Sequence, residues 1–137
     1  KRVIDEEIHN CIFKDPMPKK ELFNYLQNEI NVGLMVLDDI PAFYYGTSPN
    51  KFFDYISIGL PVINNYPGWL AGLINNYSCG FSVSPQDPVG FANALIELKN
   101  DKSLNEIMSK NAQKLAREKF DRKKLSKDFV HYLESVY

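Results

Sequence analysis

Nine residues, "GTSPNKFFD" from Gly46 to Asp54, gather groups that could hold a phosphorylated ligand. Thr47, Ser48 and Asn50 bring short hydrogen-bonding side chains, Lys51 a cation, and Asp54 a carboxylate one turn further on. Pro49 after Ser48 is the pattern of a helix start, with Ser48 as the expected cap and Pro49 in the first helical position. A helix start carries free N–H groups and the positive end of the peptide dipole, which together attract phosphate. Lys51 can add charge over that end. Asp54 can accept hydrogen bonds from a ribose diol, as acidic residues do in dinucleotide sites. A plainer reading fits the same residues: Ser-Pro as a cap, and Lys51 with Asp54 as an exposed i,i+3 pair. Spacing alone leaves both open.

The elements that would position this stretch can be read from periodicity. "VGLMVL" (32–37) is a continuous apolar run, as in a strand buried on both faces. "DDIPAFYYGT" (38–47) reads as an aromatic loop whose Tyr44 and Tyr45 either line a cleft or cover the sheet end. The helix opening at Ser48 turns Phe52, Phe53, Ile56 and Leu60 inward and stops at Gly59. "PVIN" (61–64) and "CGFSVS" (79–84) are further strands, separated by a short helix over 67–78. Upstream, "IHNCIF" (8–13) is expected as a strand, and Leu22, Phe23, Tyr25 and Leu26 mark a helix with Pro18 in its first turn. Downstream lie three helices: one from Asp87-Pro88, one over 103–120, and one over 121–137 capped by Asp121. Strands alternating with helices predict a single α/β domain over 1–137, a Rossmann-like parallel sheet of about four strands with helices on both faces. Ligands of such sheets bind beyond the carboxyl ends of the strands. Gly46–Asp54 lies at such an end.

Composition narrows the function. With 137 residues and 45% hydrophobic content, the chain can build one core. The net charge of −1 gives no electrostatic case for nucleic acid. The basic run "REKFDRKK" (117–124) is broken by acids and reads as a solvated helix face. Cys11 and Cys79 sit in apolar contexts and are expected as buried thiols, and two distant histidines, His9 and His131, give no metal-ligand spacing. Trp69 is expected in core or rim packing. No apolar run nears the ~20 residues of a membrane span and no signal peptide opens the sequence, so the expectation is cytoplasmic.

Three segments, in order, resemble one family. "VGLMVLDDIPAFYYGTSPNKFFDYISIGLPVI", "CGFSVSPQDPVGFANALIEL" and "NAQKLAREKFD" are similar to the C-terminal, nucleotide-sugar-binding half of retaining glycosyltransferases of GT-B architecture. The "SPNKFFDY" variant looks most like bacterial polysaccharide enzymes that transfer UDP-linked aminosugars, such as fucosamine transferases. The resemblance implies a metal-independent transfer from a UDP-sugar to a saccharide or lipid-linked acceptor in polysaccharide biosynthesis, with no cofactor besides the donor. It puts the ribose carboxylate on Asp54, the diphosphate lysine on Lys51, and the nucleotide-sugar site on Thr47, Ser48, Asn50, Lys51 and Asp54. It names no catalytic residue. The family's sugar-binding glutamate falls on Gly46, so the two-glutamate pattern is absent, and "NYPGWLAG" lacks the acid that often follows the Gly-Gly turn. It implies too that the N-terminal acceptor domain and two βα units lie outside this sequence, so that the chain alone does not catalyse transfer. In the family's strand order 3-2-1-4-5-6, "IHNCIF" would be strand 3 and would close directly onto "VGLMVL". A dimer through the exposed sheet edge is the alternative. The intact enzyme could sit peripherally on the inner face of the membrane. Competing readings are a nucleotide-sugar epimerase fragment and a non-enzymatic doubly wound module. A receiver-type module would have to use Asp38 and Asp39.

Overall fold

The computed structural model describes residues 2–136. Its elements run α1 (Arg2–Asp5), α2 (Lys19–Glu29), β1 (Gly33–Met35), α3 (Pro41–Tyr44), α4 (Asn50–Ile58), β2 (Val62–Asn64), α5 (Trp69–Tyr77), β3 (Gly80–Ser82), α6 (Pro88–Asn100), α7 (Lys102–Lys119) and α8 (Arg122–Val136). The sheet is three-stranded and parallel in the order β1-β2-β3, with Gly33 opposite Val62 and Val62 opposite Gly80. The chain is therefore α/β, with helices on both sides of a small parallel sheet.

β2 is the centre, and every residue in it is buried. Alternation along the strand sends Val62 to one face and Ile63 to the other. Val62 and Met35 pack with Phe52 and Ile56 of α4, Leu70 and Ile74 of α5, and Leu115 of α7. Ile63 packs with Ala94 and Leu98 of α6 and Met108 of α7. α7 contributes to both clusters and so ties the two layers together. Gly59 ends α4 at φ 81° in the left-handed region, its N–H bonded to Ile56 O at 3.2 Å. A Cβ there would be strained and would meet the Gln113 side chain at 2.7 Å. Asp87 caps α6 by accepting from Gly90 N at 2.8 Å, and Asp101 caps α7 by accepting from Leu104 N at 2.8 Å.

Several expectations are corrected. "IHNCIF" is not a strand: residues 8–13 are exposed, Ile12 at 78% and Phe13 at 79%, and pair with no strand. A short apolar run becomes a strand only where a neighbour accepts its backbone groups, and the free edge of β1 is not used by this segment. The sheet thus has three strands rather than about four, and the closure of 8–13 onto "VGLMVL" does not occur. Cys11 lies in the same segment and is exposed, whereas Cys79 is buried as expected. Ser48 does not cap α4. Pro49 occupies the N-cap position and no side chain bonds the helix start. Finally, the aromatic loop contains a helical turn, α3, begun by Pro41.

Candidate functional site

Both α2 and α4 precede a parallel strand after a tight connection, so their N-termini lie at the carboxyl edge of the sheet. That edge holds the residues the sequence singled out. Thr47 is half-buried and donates from Oγ1 to Phe43 O, which ties it to the end of α3. Ser48, Asn50 and Lys51 are exposed around the start of α4. Lys51 makes no ion pair among the described residues. No side chain bonds the helix start and Phe52 N–H already donates to Pro49 O at 3.0 Å, so the Asn50 and Lys51 amides are the ones left for an outside acceptor. A Cβ on Gly46 would meet nothing within 4 Å, so the chain entering that start borders open space at this residue.

Asp54 sits in the second turn of α4 and is one-quarter exposed. Its Oδ1 lies 3.2 Å from Lys19 Nζ, at the start of α2. Lys19 also lies over the Phe23 ring, 5.5 Å from its centroid. Tyr55, next along α4, lies flat against β1, where a Cβ on Gly33 would fall 2.4 Å from its ring. Burial pushes the Tyr55 phenol up from its ordinary value, and the Asp54 charge pushes it the same way. Thr47, Ser48, Asn50, Lys51 and Asp54 thus lie along one helix start, and the structure adds Lys19, which the sequence reading missed. Nothing local marks Lys19, because its partner lies in a different helix.

The rest of the edge is built from interlocked loops. Tyr44 is buried and its hydroxyl donates to Asp39 Oδ1, while Gln86 Nε2 donates to Asp39 Oδ2. Asp39 therefore joins the loop after β1 to the loop after β3. Asn65 clamps Leu37 at both ends, accepting from its N–H at 2.8 Å and donating to its carbonyl at 2.9 Å. Gly68 has φ 114°, and a Cβ there would stand 2.4 Å from Tyr44 O, so the "NYPGW" turn fits against α3 only as glycine. Tyr44 thus covers the sheet end, whereas Tyr45 is 74% exposed. Trp69 packs on the rim against Phe53 and Phe120, as expected. A cavity of about 350 Å³ at this edge is lined by Val36, Asn65, Ser84, Gln86 and Phe91. It opens on the α6 side, and neither Lys51 nor Asp54 lines it.

Among the described residues no group of three or more His, Cys, Asp or Glu is placed to hold a metal ion. Among the same residues, no helix is long and apolar enough to cross a membrane. No protein-family model matches the chain, and neither the curated proteins nor the solved structures include a significant match to it.

Proposed function

We propose that the chain is the nucleotide-sugar-binding part of a retaining GT-B glycosyltransferase that uses a UDP-linked sugar. The observation that carries this reading is the open start of α4 at the carboxyl edge of a parallel sheet, with Lys51 beside it and Asp54 one turn further. The open amides and Lys51 suit a diphosphate, and the Asp54 carboxylate suits a ribose diol. In the intact enzyme the sugar passes to a hydroxyl of a saccharide or lipid-linked acceptor in the cytoplasm. The same amides and Lys51 then stabilise the departing diphosphate, as preorganised donors do for developing charge. On this reading a further domain of the intact enzyme holds the acceptor, and the chain alone does not catalyse transfer. A receiver-type module is disfavoured, since Asp39 is engaged by Tyr44 and Gln86 rather than open to a ligand.

Calorimetric titration with UDP and with uridine tests the reading. Asp54→Ala should weaken both ligands by about 1.5–3 kcal/mol, the range of a hydrogen bond to a charged group. Lys51→Ala should weaken UDP and leave uridine nearly unchanged. Unchanged UDP affinity in Asp54→Ala would remove that residue from the site. Equal losses for both ligands in Lys51→Ala would make the lysine structural.

A further inference from the structure

The nucleotide reading gives Lys19 no role. This lysine begins α2, yet its ammonium reaches across to Asp54 Oδ1 at 3.2 Å on α4. A carboxylate at this place has a cost for a diphosphate site, because it repels the phosphates that the start of α4 attracts. Lys51 and Asp54 together sum to zero charge. With Lys19 the three side chains carry a net +1.

The geometry also leaves Asp54 usable. A carboxylate offers two oxygens with about four lone-pair directions between them. Lys19 engages Oδ1, and no described side chain bonds Oδ2. The contact therefore fixes the carboxylate without filling it, and one oxygen remains for a diol. The Lys19 ammonium also lies over the face of Phe23, 5.5 Å from the ring centroid, while the side chain as a whole is 71% exposed.

We infer that Lys19 is a positioning residue of the nucleotide site: it orients Asp54 towards the ribose and cancels its charge towards the diphosphate. This rests on the nucleotide reading of the α4 start. A plain surface ion pair between two helices is the competing account, and the two differ in what the ligand feels. If Lys19 only joins the helices, its loss alters neither UDP affinity nor the dependence of that affinity on salt.

The test titrates UDP and uridine into the chain at low and at physiological salt, for the wild type, Lys19→Met, Lys19→Arg and Asp54→Ala. Methionine keeps the apolar stem and removes the charge. Lys19→Met should weaken UDP about two- to fivefold at low salt, the scale of a partly screened ionic contact. It should weaken uridine less, flatten the salt dependence for UDP, and leave the melting temperature unchanged. Lys19→Arg should recover most of the UDP affinity. Unchanged or tighter UDP binding in Lys19→Met, with binding still lost in Asp54→Ala, overturns the role of Lys19 and keeps the nucleotide reading. A wild type that binds neither UDP nor uridine overturns the nucleotide reading and the inference with it, and an Asp54→Ala that binds both normally takes Asp54 out of the site and overturns the role of Lys19 as its positioning residue.

Discussion

The middle of the chain and its two ends contain the same kinds of side chain and use them differently. Phe52, Ile56, Val62, Ile63 and Ile74 are fully buried around the sheet. Ile4, Ile12 and Phe13 at one end, and Phe129, Tyr132 and Val136 at the other, are all more than half exposed. Apolar content is thus no guide to what holds this molecule together. Burial follows from having the sheet at hand, since each packed helix lies on one of its strands or on a helix that does. α8 is amphipathic in pattern but buries no residue, and residues 8–13 have no strand beside them.

The strongest test of that contrast is truncation on each side of it. Ile56→Ala should destabilise the protein by about 2–5 kcal/mol, by lost burial and a cavity at the contact of α4 with β2. Phe129→Ala or Ile12→Ala should change stability by less than about 0.5 kcal/mol, because neither side chain is packed. Denaturant titration of the three variants measures this. A large loss from Phe129→Ala would mean that α8 covers something in solution and would break the contrast.

The ligand experiment sharpens the same division from the functional side. Asp54 stands on the packed helix α4, so the loss of UDP affinity in Asp54→Ala should come without a comparable loss of fold. Removing α8 altogether should leave UDP affinity where it was.

Helix caps allow a finer comparison, because two aspartates make the same bond in different surroundings. Asp101 accepts from Leu104 N at 2.8 Å at the start of α7, and Asp121 accepts from Lys124 N at 2.9 Å at the start of α8. Asp101→Ala should lower global stability by about 1 kcal/mol, as loss of a cap on a packed helix does. Asp121→Ala should leave the unfolding midpoint unchanged and reduce only the helical circular dichroism signal.

The smallest effect concerns the thiols. Burial pushes the Cys79 thiol up to about 11, while Cys11 is open to solvent. At pH 8 an alkylating reagent should label Cys11 readily and reach Cys79 only on unfolding. The folded protein holds the Cys79 proton more tightly than the unfolded chain does. Its contribution to stability is therefore complete below the thiol's unfolded value and is lost as pH rises towards 11. Equal labelling of both thiols in the native protein would refute the burial of Cys79.

Much of the packed middle is legible before any coordinates. The stop at Gly59, the Asp87-Pro88 start of α6 and the three apolar runs that become β1, β2 and β3 each carry a local signal. Phe52 and Ile56 announce the inner face of α4 by spacing alone. The failures share a different cause. "IHNCIF" looks like a strand, but strand formation is decided by a neighbour that no local pattern names. Ser48 has the chemistry of a cap, yet a proline follows it and the helix begins one residue later than that role requires. At the site, Lys51 and Asp54 could be found because they share a helix. Lys19 could not, since only the folding of α2 against α4 brings it to Asp54.

The open side of β1 sorts its backbone into two kinetic classes. Gly33 donates to Pro61 O at 2.8 Å and Met35 O accepts from Asn65 N at 3.2 Å, so these residues turn their polar groups towards β2. In a parallel ladder the residues between them turn theirs the other way, and among the described residues no strand lies on that side of Leu34 and Val36. The Gly33 and Met35 amides should exchange their hydrogens only when the sheet opens, whereas those of Leu34 and Val36 should exchange from the native state itself. A strand of three residues would then show protection on every second amide. Slow exchange at Leu34 and Val36 in solution would reveal that another strand had been laid along that edge.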